Sequence, residues 1–173
     1  MSRAMPSIPG FVLFPCVVLV DTREQLPLSF AGIKADRVDK GATLIVELHK
    51  ATLKAGDYSL WGYADRVAIE RKSHADLLGT LGKGRDRFER ELQRLAEYEF
   101  AAVVVEAEWS TILREPLEYS RLSPKTVHRS VIAWQQRFHR VHWHFLPDRR
   151  FAEITTFRIL ERFWKNQQQT KKG

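Results

Sequence analysis

Cysteine occurs once in 173 residues, at Cys16. A lone cysteine excludes intrachain disulfides and cysteine-based zinc sites, and its place in an apolar stretch makes it a small core residue. A reducing compartment is compatible with such usage. Long hydrophobic runs are missing too. The stretch 11–20 (FVLFPCVVLV) is too short to span a bilayer and is interrupted by Pro15. Asp21 and Arg23 follow it, not the small residues of a cleavage site, so a buried strand is a better reading than a signal peptide. Internal repeats and low-complexity segments are absent. Acidic residues become scarce late in the chain: residues 1–120 hold 16 Lys/Arg and 18 Asp/Glu, whereas 121–173 hold 12 and 3. A cationic excess segregated in this way suits a polyanion, nucleic acid before acidic lipid. A merely solvated basic face is the evenly weighted alternative.

What is present suits one domain. The length allows a proper core, and 44% apolar residues is ordinary for a globular chain. Residues 1–10 carry Pro6 and Pro9 and read as a flexible lead-in, 11–165 as the folded domain, and 166–173 as a polar tail. Cys16–Val20 and Phe100–Glu106 are continuously apolar, as strands covered on both faces should be. Thr43–His49 reads as a further strand, while Leu26–Lys40, with Pro27 and Gly32, reads as a connection or a short helical turn. Helices are predicted for Ala75–Leu81, for Asp86–Glu99 with Phe88, Leu92 and Leu95 on one stripe, for Trp109–Leu113, from Ser123-Pro124 onward, and after Asp148. On the second of these, Glu89, Arg90, Glu91, Arg94 and Glu97 read as a solvated face with i,i+4 pairing. His142 and His144 alternate along a last strand without a carboxylate or cysteine beside them, which is strand polarity and not a metal site. The order of elements gives an α/β domain with a mixed sheet.

The chemistry concentrates in one stretch, GDYSLWGYADRVAIERKSHAD, running from Gly56 to Asp76. Asp57 precedes a short strand, a turn with Gly62 and Asp65 follows, and a second strand leads into Glu70-Arg71-Lys72. Strand side chains alternate between faces, so Glu70 and Lys72 share one face and Arg71 takes the other. Paired as a hairpin, the two strands bring Asp57 close to Glu70. Two carboxylates that close repel unless a cation sits between them, and a hard divalent ion beside a lysine meets that need. Ser73 and Asp76 also form a capping box for the next helix, which accounts for Asp76 without any further role. Gly82-Lys83-Gly84-Arg85 is a basic loop next in line; it reads as a helix linker or as a phosphate contact, since glycine leaves backbone amides accessible.

Asp57, Glu70, Arg71, Lys72 and Asp76 resemble the GD…ERKxxxD signature of the XPF family of structure-specific DNA endonucleases, within the restriction-endonuclease-like superfamily. Val20-Asp21-Thr22-Arg23-Glu24 resembles that family's strand ending in D-x-R-E, and Leu77–Leu81 with the Gly84-Arg85 loop is similar as well. The resemblance runs from about Val17 to Trp164. It implies a restriction-endonuclease-like mixed central sheet flanked by helices, and hydrolysis of DNA phosphodiesters with Mg²⁺ or Mn²⁺. Asp57 and Glu70 would hold the metal, with Asp21 as a third carboxylate. Lys72 would orient or deprotonate water or neutralise developing charge, and Arg71 would brace the strand or meet Glu24. Asp76 would shape the helix start, and Lys83 and Arg85 would contact DNA.

The resemblance further implies branched or flap DNA as substrate, in repair or recombination. It also implies an intracellular setting, cytoplasmic for a bacterial or phage protein and nuclear for a eukaryotic one, with no membrane partner. Pairing as a homodimer or heterodimer is expected through the C-terminal helices. There Phe151, Ile154, Phe157, Leu160, Phe163 and Trp164 cover more circumference than one sheet contact needs, and Val127, Val131, Trp134 and Phe138 supply the facing surface. The helix-hairpin-helix module and the helicase domain that often accompany such domains are not expected within these residues. Two alternatives stand beside the nuclease reading: a non-catalytic DNA-binding or scaffold partner, and a nuclease without structure selectivity.

Overall fold

The computed structural model describes residues 8–36, 41–114 and 122–170, so most of the lead-in at 1–10 and the end of the polar tail lie outside the described residues. Two strands, β1 (Phe11–Leu13) and β3 (Thr43–Ile45), form a small parallel ribbon. The main sheet has six strands in the order β4-β2-β5-β6-β7-β8: β4 (Leu48–Ala51), β2 (Val18–Asp21), β5 (Tyr58–Leu60), β6 (Val67–Ser73), β7 (Phe100–Glu106) and β8 (Val141–Phe145). It is mixed, with β5 antiparallel to both neighbours and the other pairs parallel.

Alternation along the central strands divides the core. Val67 and Ile69 of β6 with Ala102 and Val104 of β7 face the last helix, α5 (Arg149–Thr170). Ala68 with Ala101, Val103 and Val105 faces the other layer. That layer holds α1 (His74–Leu81), α2 (Arg85–Leu95), α3 (Trp109–Arg114) and α4 (Pro124–Arg137). Because β7 is covered on both sides, its sequence is apolar without alternation.

Two expectations change at Pro15. The run 11–20 is not one strand, and neither is Thr43–His49. Proline gives no N–H to a ladder, so the first run breaks between β1 and β2. Its partner segment breaks in step: the Phe14 amide donates to Ile45 O at 2.9 Å and the Val18 amide to Glu47 O at 2.9 Å, so β3 serves the ribbon and β4 the main sheet. The segment 26–40 is described as far as residue 36 and up to there is a connection without a helical turn. Leu28, Phe30 and Ile33 plug into the core, and Glu153 Oε1 accepts from Ser29 N at 2.8 Å and Phe30 N at 2.6 Å. Phe30 takes φ +56°, a conformation uncommon for a bulky residue, which this clasp holds in place.

The expected pairing face on the last helix is also corrected. Phe157 and Leu160 are fully buried within the chain, Phe157 against Phe14 and Phe30 at ring separations of 5.1 and 6.1 Å. The ribbon and the 28–33 segment lie over Phe157 and take up much of the apolar breadth of α5, while Phe151 stays exposed. Val127, Val131, Trp134 and Phe138 are buried too, in or beside α4 on the opposite side of the sheet, so the two helices do not build one shared surface. The helix also continues through Thr170, so the polar stretch from Asn166 is helical as far as it is described. Among the described residues no helix is long and apolar enough to cross a membrane. Truncating Phe157 to alanine should therefore destabilise the fold by about 3–5 kcal/mol, as deletion of a buried aromatic ring does. Chemical denaturation monitored by circular dichroism measures it, and a loss confined to self-association would contradict the core assignment.

Candidate active site

Gly56 sets the geometry. Its φ is +74°, and a Cβ there would stand 3.0 Å from Ile69 O and 3.3 Å from Ala68 Cβ, so only glycine lets the chain lie this close to β6. Asp57 follows, held by its own backbone: its amide donates to Ile69 O and its carbonyl accepts from Asp21 N, both at 2.8 Å. Its side chain folds back onto β6, where Oδ2 accepts from the Arg71 amide at 2.7 Å. The adjoining residues of β6 then divide by parity. Glu70 and Lys72 point to the α1–α2 layer, with Lys72 Nζ 2.5 Å from Glu70 Oε1 and 4.8 Å from the centre of the Phe88 ring. Arg71 points to the other side. Its guanidinium donates to Glu24 Oε2 at 3.1 Å and Glu106 Oε1 at 2.7 Å, and Arg149 from α5 reaches the same Glu106 oxygen at 3.2 Å. Ser73 caps α1, accepting from the Asp76 amide and donating to Asp76 Oδ2 at 2.6 Å.

These groups line a cleft of about 760 Å³ between the sheet end and α2. Asp57, Glu70, Lys72, Asp76 and Glu24 are on its wall; Asp21 is not. The Asp21 carboxylate is buried and saturated, accepting from Arg23 N at 2.8 Å, Arg23 Nε at 2.6 Å, Arg23 Nη2 at 3.0 Å and Leu53 N at 2.8 Å. It thereby holds Arg23 at the cleft. Lys83 stands exposed on its loop. Arg85 turns toward α4, donating to Ser130 Oγ at 3.0 Å and lying 5.0 Å over the Trp134 ring.

The sequence reading missed Arg87, Glu91 and Arg94, which face the cleft from α2, together with Phe88. Glu91 and Arg94 read in the sequence as part of a solvated face, and Arg87 completes their i, i+4, i+7 spacing. Of that face, Glu89 is also engaged, accepting from Trp134 Nε1 at 2.9 Å.

Burial raises the Asp57 carboxyl, the Glu70 charge raises it further, and the Arg71 amide offsets only part of this, leaving it at about 8. Burial likewise pushes Glu70 up, Lys72 pulling against it and Glu91 adding to the rise. Burial works to lower Lys72, but the charge and hydrogen bond of Glu70, with Asp57 and Asp76 behind, hold it above the ordinary lysine value. Asp21 moves the other way: burial raises it, yet the hydrogen bonds from Arg23 and Leu53 prevail and keep it low. Two carboxylates crowded in one low-dielectric corner are a donor set that a hard divalent ion fits, since it removes the repulsion that raises both. Among the described residues no three His, Cys, Asp or Glu side chains form a metal-binding group, so an ion held there would draw its remaining ligands from outside the protein.

The raised Asp57 has a thermodynamic consequence. Between the ordinary value of 3.8 and about 8, the folded chain keeps a proton that the unfolded chain has lost. Stability of the metal-free protein should thus decline as pH rises through that window and level off above it. Asp57→Asn should flatten this part of the slope and exceed the parent in stability at the alkaline end. Urea denaturation in EDTA from about pH 5 to about pH 9 measures it, and parallel slopes for the two proteins would contradict the assignment.

Among solved structures, the chain is similar to XPF from Aeropyrum pernix, with a TM-score of 0.61 at 21% identity over 90% of this chain and 68% of that one. It is also similar to XPF from Aeropyrum pernix in a complex with DNA, at a TM-score of 0.60 and 21% identity, over 87% of this chain and 66% of that one. The chain thus spans about two thirds of the structures it matches, and the likeness establishes a common fold. No curated protein matches the sequence. Residues 20–157 match the ERCC4 domain, a stretch that takes in Asp21, Asp57, the Glu70–Lys72 run and the cleft-facing side of α2. The chain belongs to the ERCC4 domain family.

Proposed function

We propose that this domain is a metal-dependent endonuclease that hydrolyses DNA phosphodiester bonds, acting at branched or flap structures. One observation carries the reading: Lys72 pairs with Glu70 beside the buried Asp57 on the wall of an arginine-lined cleft. The family match supports it, and so does the likeness to an XPF whose structure contains DNA. Asp57 and Glu70 are the residues that would hold Mg²⁺ or Mn²⁺. Bound there, such an ion supplies Lewis acidity to a phosphate oxygen and offsets the charge that gathers in the transition state.

Lys72 is placed to hold a proton beside the scissile phosphate and to stabilise its added negative charge; its raised value favours this over a role as base. Arg71 makes no contact with substrate in this reading. It fixes β6 through Glu24 and Glu106, and its amide orients the Asp57 carboxylate. Asp21 keeps Arg23 facing the cleft, and Asp76 shapes the start of α1. Arg87 and Arg94, with Lys83 on the neighbouring loop, are the proposed phosphate contacts, while Arg85 braces α2 on α4. A second copy or related chain is proposed to dock on the outward side of α5, where Ile154, Ile159, Phe163 and Phe100 line a groove of about 350 Å³.

A scaffold without activity is the weaker reading, because the motif carboxylates and the lysine are all present and mutually engaged. Labelled flaps, forks, junctions and plain duplexes incubated with Mg²⁺ or Mn²⁺ test the proposal, and equal cleavage of all four would leave a nuclease without structure selectivity. Asp57→Ala and Lys72→Ala should each bring cleavage to background with DNA binding retained. Turnover in EDTA, or a fully active Lys72→Ala, would defeat the metal-nuclease reading. Arg87→Ala should weaken binding alike for all sequences and lower the salt dependence by about one phosphate contact, read by fluorescence anisotropy across a salt series.

A further inference from the structure

The geometry points to Glu91 as a positioning residue for Asp57, acting through the backbone of Gly56; this rests on the nuclease reading for its purpose but not for its test. Glu91 Oε1 accepts from the Gly56 amide at 2.8 Å, across 35 positions of sequence. That amide belongs to the Ala55–Gly56 peptide, so Glu91 fixes one side of Gly56 and the bond from the Asp57 amide to Ile69 O fixes the other. The same glycine is in the left-handed region and lies against Ile69 O, so a small rotation about Gly56 would lift Asp57 off β6. The other contacts of Asp57, to Ile69, Asp21 and Arg71, all act at or after its own amide. Glu91 holds the approach to it from the opposite wall of the cleft.

Arg94, one helical turn on, pairs with the second Glu91 oxygen and orients the carboxylate. Only 17% of the Glu91 side chain is exposed, so the bond to Gly56 is shielded from competing water. Phe88, one turn back, lies over Lys72. One face of α2 therefore registers both the lysine and the aspartate against each other, and a shift of α2 would move both.

An acceptor role separates reach from charge. Gln keeps the carbonyl oxygen at the same distance and drops the charge; Asp keeps the charge and falls one methylene short. Groups that orient a metal-holding side chain are typically worth roughly 10–100-fold in metal affinity or activity. Amide exchange across residues 55–57 and Mn²⁺ binding, both measured without DNA, are the primary readouts, with kcat and KM for DNA alongside. Glu91→Gln should retain parental exchange and Mn²⁺ affinity within about threefold, whereas Glu91→Asp and Glu91→Ala should speed exchange and weaken Mn²⁺ at least about tenfold. In cleavage, Glu91→Asp should lose kcat with KM for DNA little changed, and Glu91→Gln should recover it. If Glu91→Gln falls as far as Glu91→Asp, the carboxylate acts by charge or as a ligand and the inference is overturned. Unchanged exchange in Glu91→Asp overturns it as well. Failure of the parent protein to cut any DNA would remove the nuclease reading alone, because exchange and Mn²⁺ binding still decide the role of Glu91.

Discussion

The close approach of Gly56 to the backbone of β6 is the constraint on which the site depends. With a 3.0 Å gap between a notional Cβ and Ile69 O, no other residue allows Asp57 to reach the strand that carries Glu70. Everything downstream follows from that contact. It puts two carboxylates in one buried corner, raises Asp57 to about 8, and keeps Lys72 charged by giving it anionic neighbours. The fold accepts an unfavourable cluster there. Such a cluster persists only where the surrounding structure over-determines it, and here both walls of the cleft and the β6 ladder do so.

Parity along β6 then separates chemistry from support. Glu70 and Lys72 turn to the α1–α2 side of the cleft, while Arg71, between them in sequence, enters an ion network with Glu24 and Glu106 at side-chain exposures of 8%, 7% and 11%. Arg71 and Glu24 form a further part of the cleft wall. A buried network of this kind is weak evidence of net stabilisation, because desolvation offsets much of the attraction. Its geometric effect is clearer. Glu24 follows β2 and Glu106 ends β7, so one guanidinium ties both to the strand that bears the active groups, and Arg149 at the start of α5 joins through Glu106.

The sheet, its order of elements and the Asp57–Glu70–Lys72 group were legible in the sequence because they rest on alternation and on a local hairpin. Arg71 meeting Glu24 followed from the same alternation. What escaped notice depended on tertiary partners. Glu91 and Arg94 look like an exposed i,i+3 pair until the left-handed turn at Gly56 is brought under them. Asp21 sits one strand from Asp57 and looks like a third ligand, yet Arg23, two residues on, closes over its oxygens. Phe157 and Leu160 looked surplus to one sheet contact because the ribbon made by Phe11–Leu13 and Thr43–Ile45 could not be foreseen past Pro15.

Charge by segment and charge at the cleft are separate quantities. Residues 121–173 carry the cationic excess, but along α5 much of it is already engaged: Arg150 with Glu153, Arg158 with Glu161, Lys165 with both Asp36 and Glu161, and Arg149 with Glu106. Partly exposed pairs such as these add little stability, yet each lowers the field its cation projects to a distant phosphate. The cations that line the cleft, Arg23, Arg71, Lys72, Arg87 and Arg94, all come from residues 1–120, whose net charge is slightly negative. The local potential at the cleft is set by which arginines α2 presents there, and that is decided by the apolar stripe of Phe88, Leu92 and Leu95 on its adjoining side.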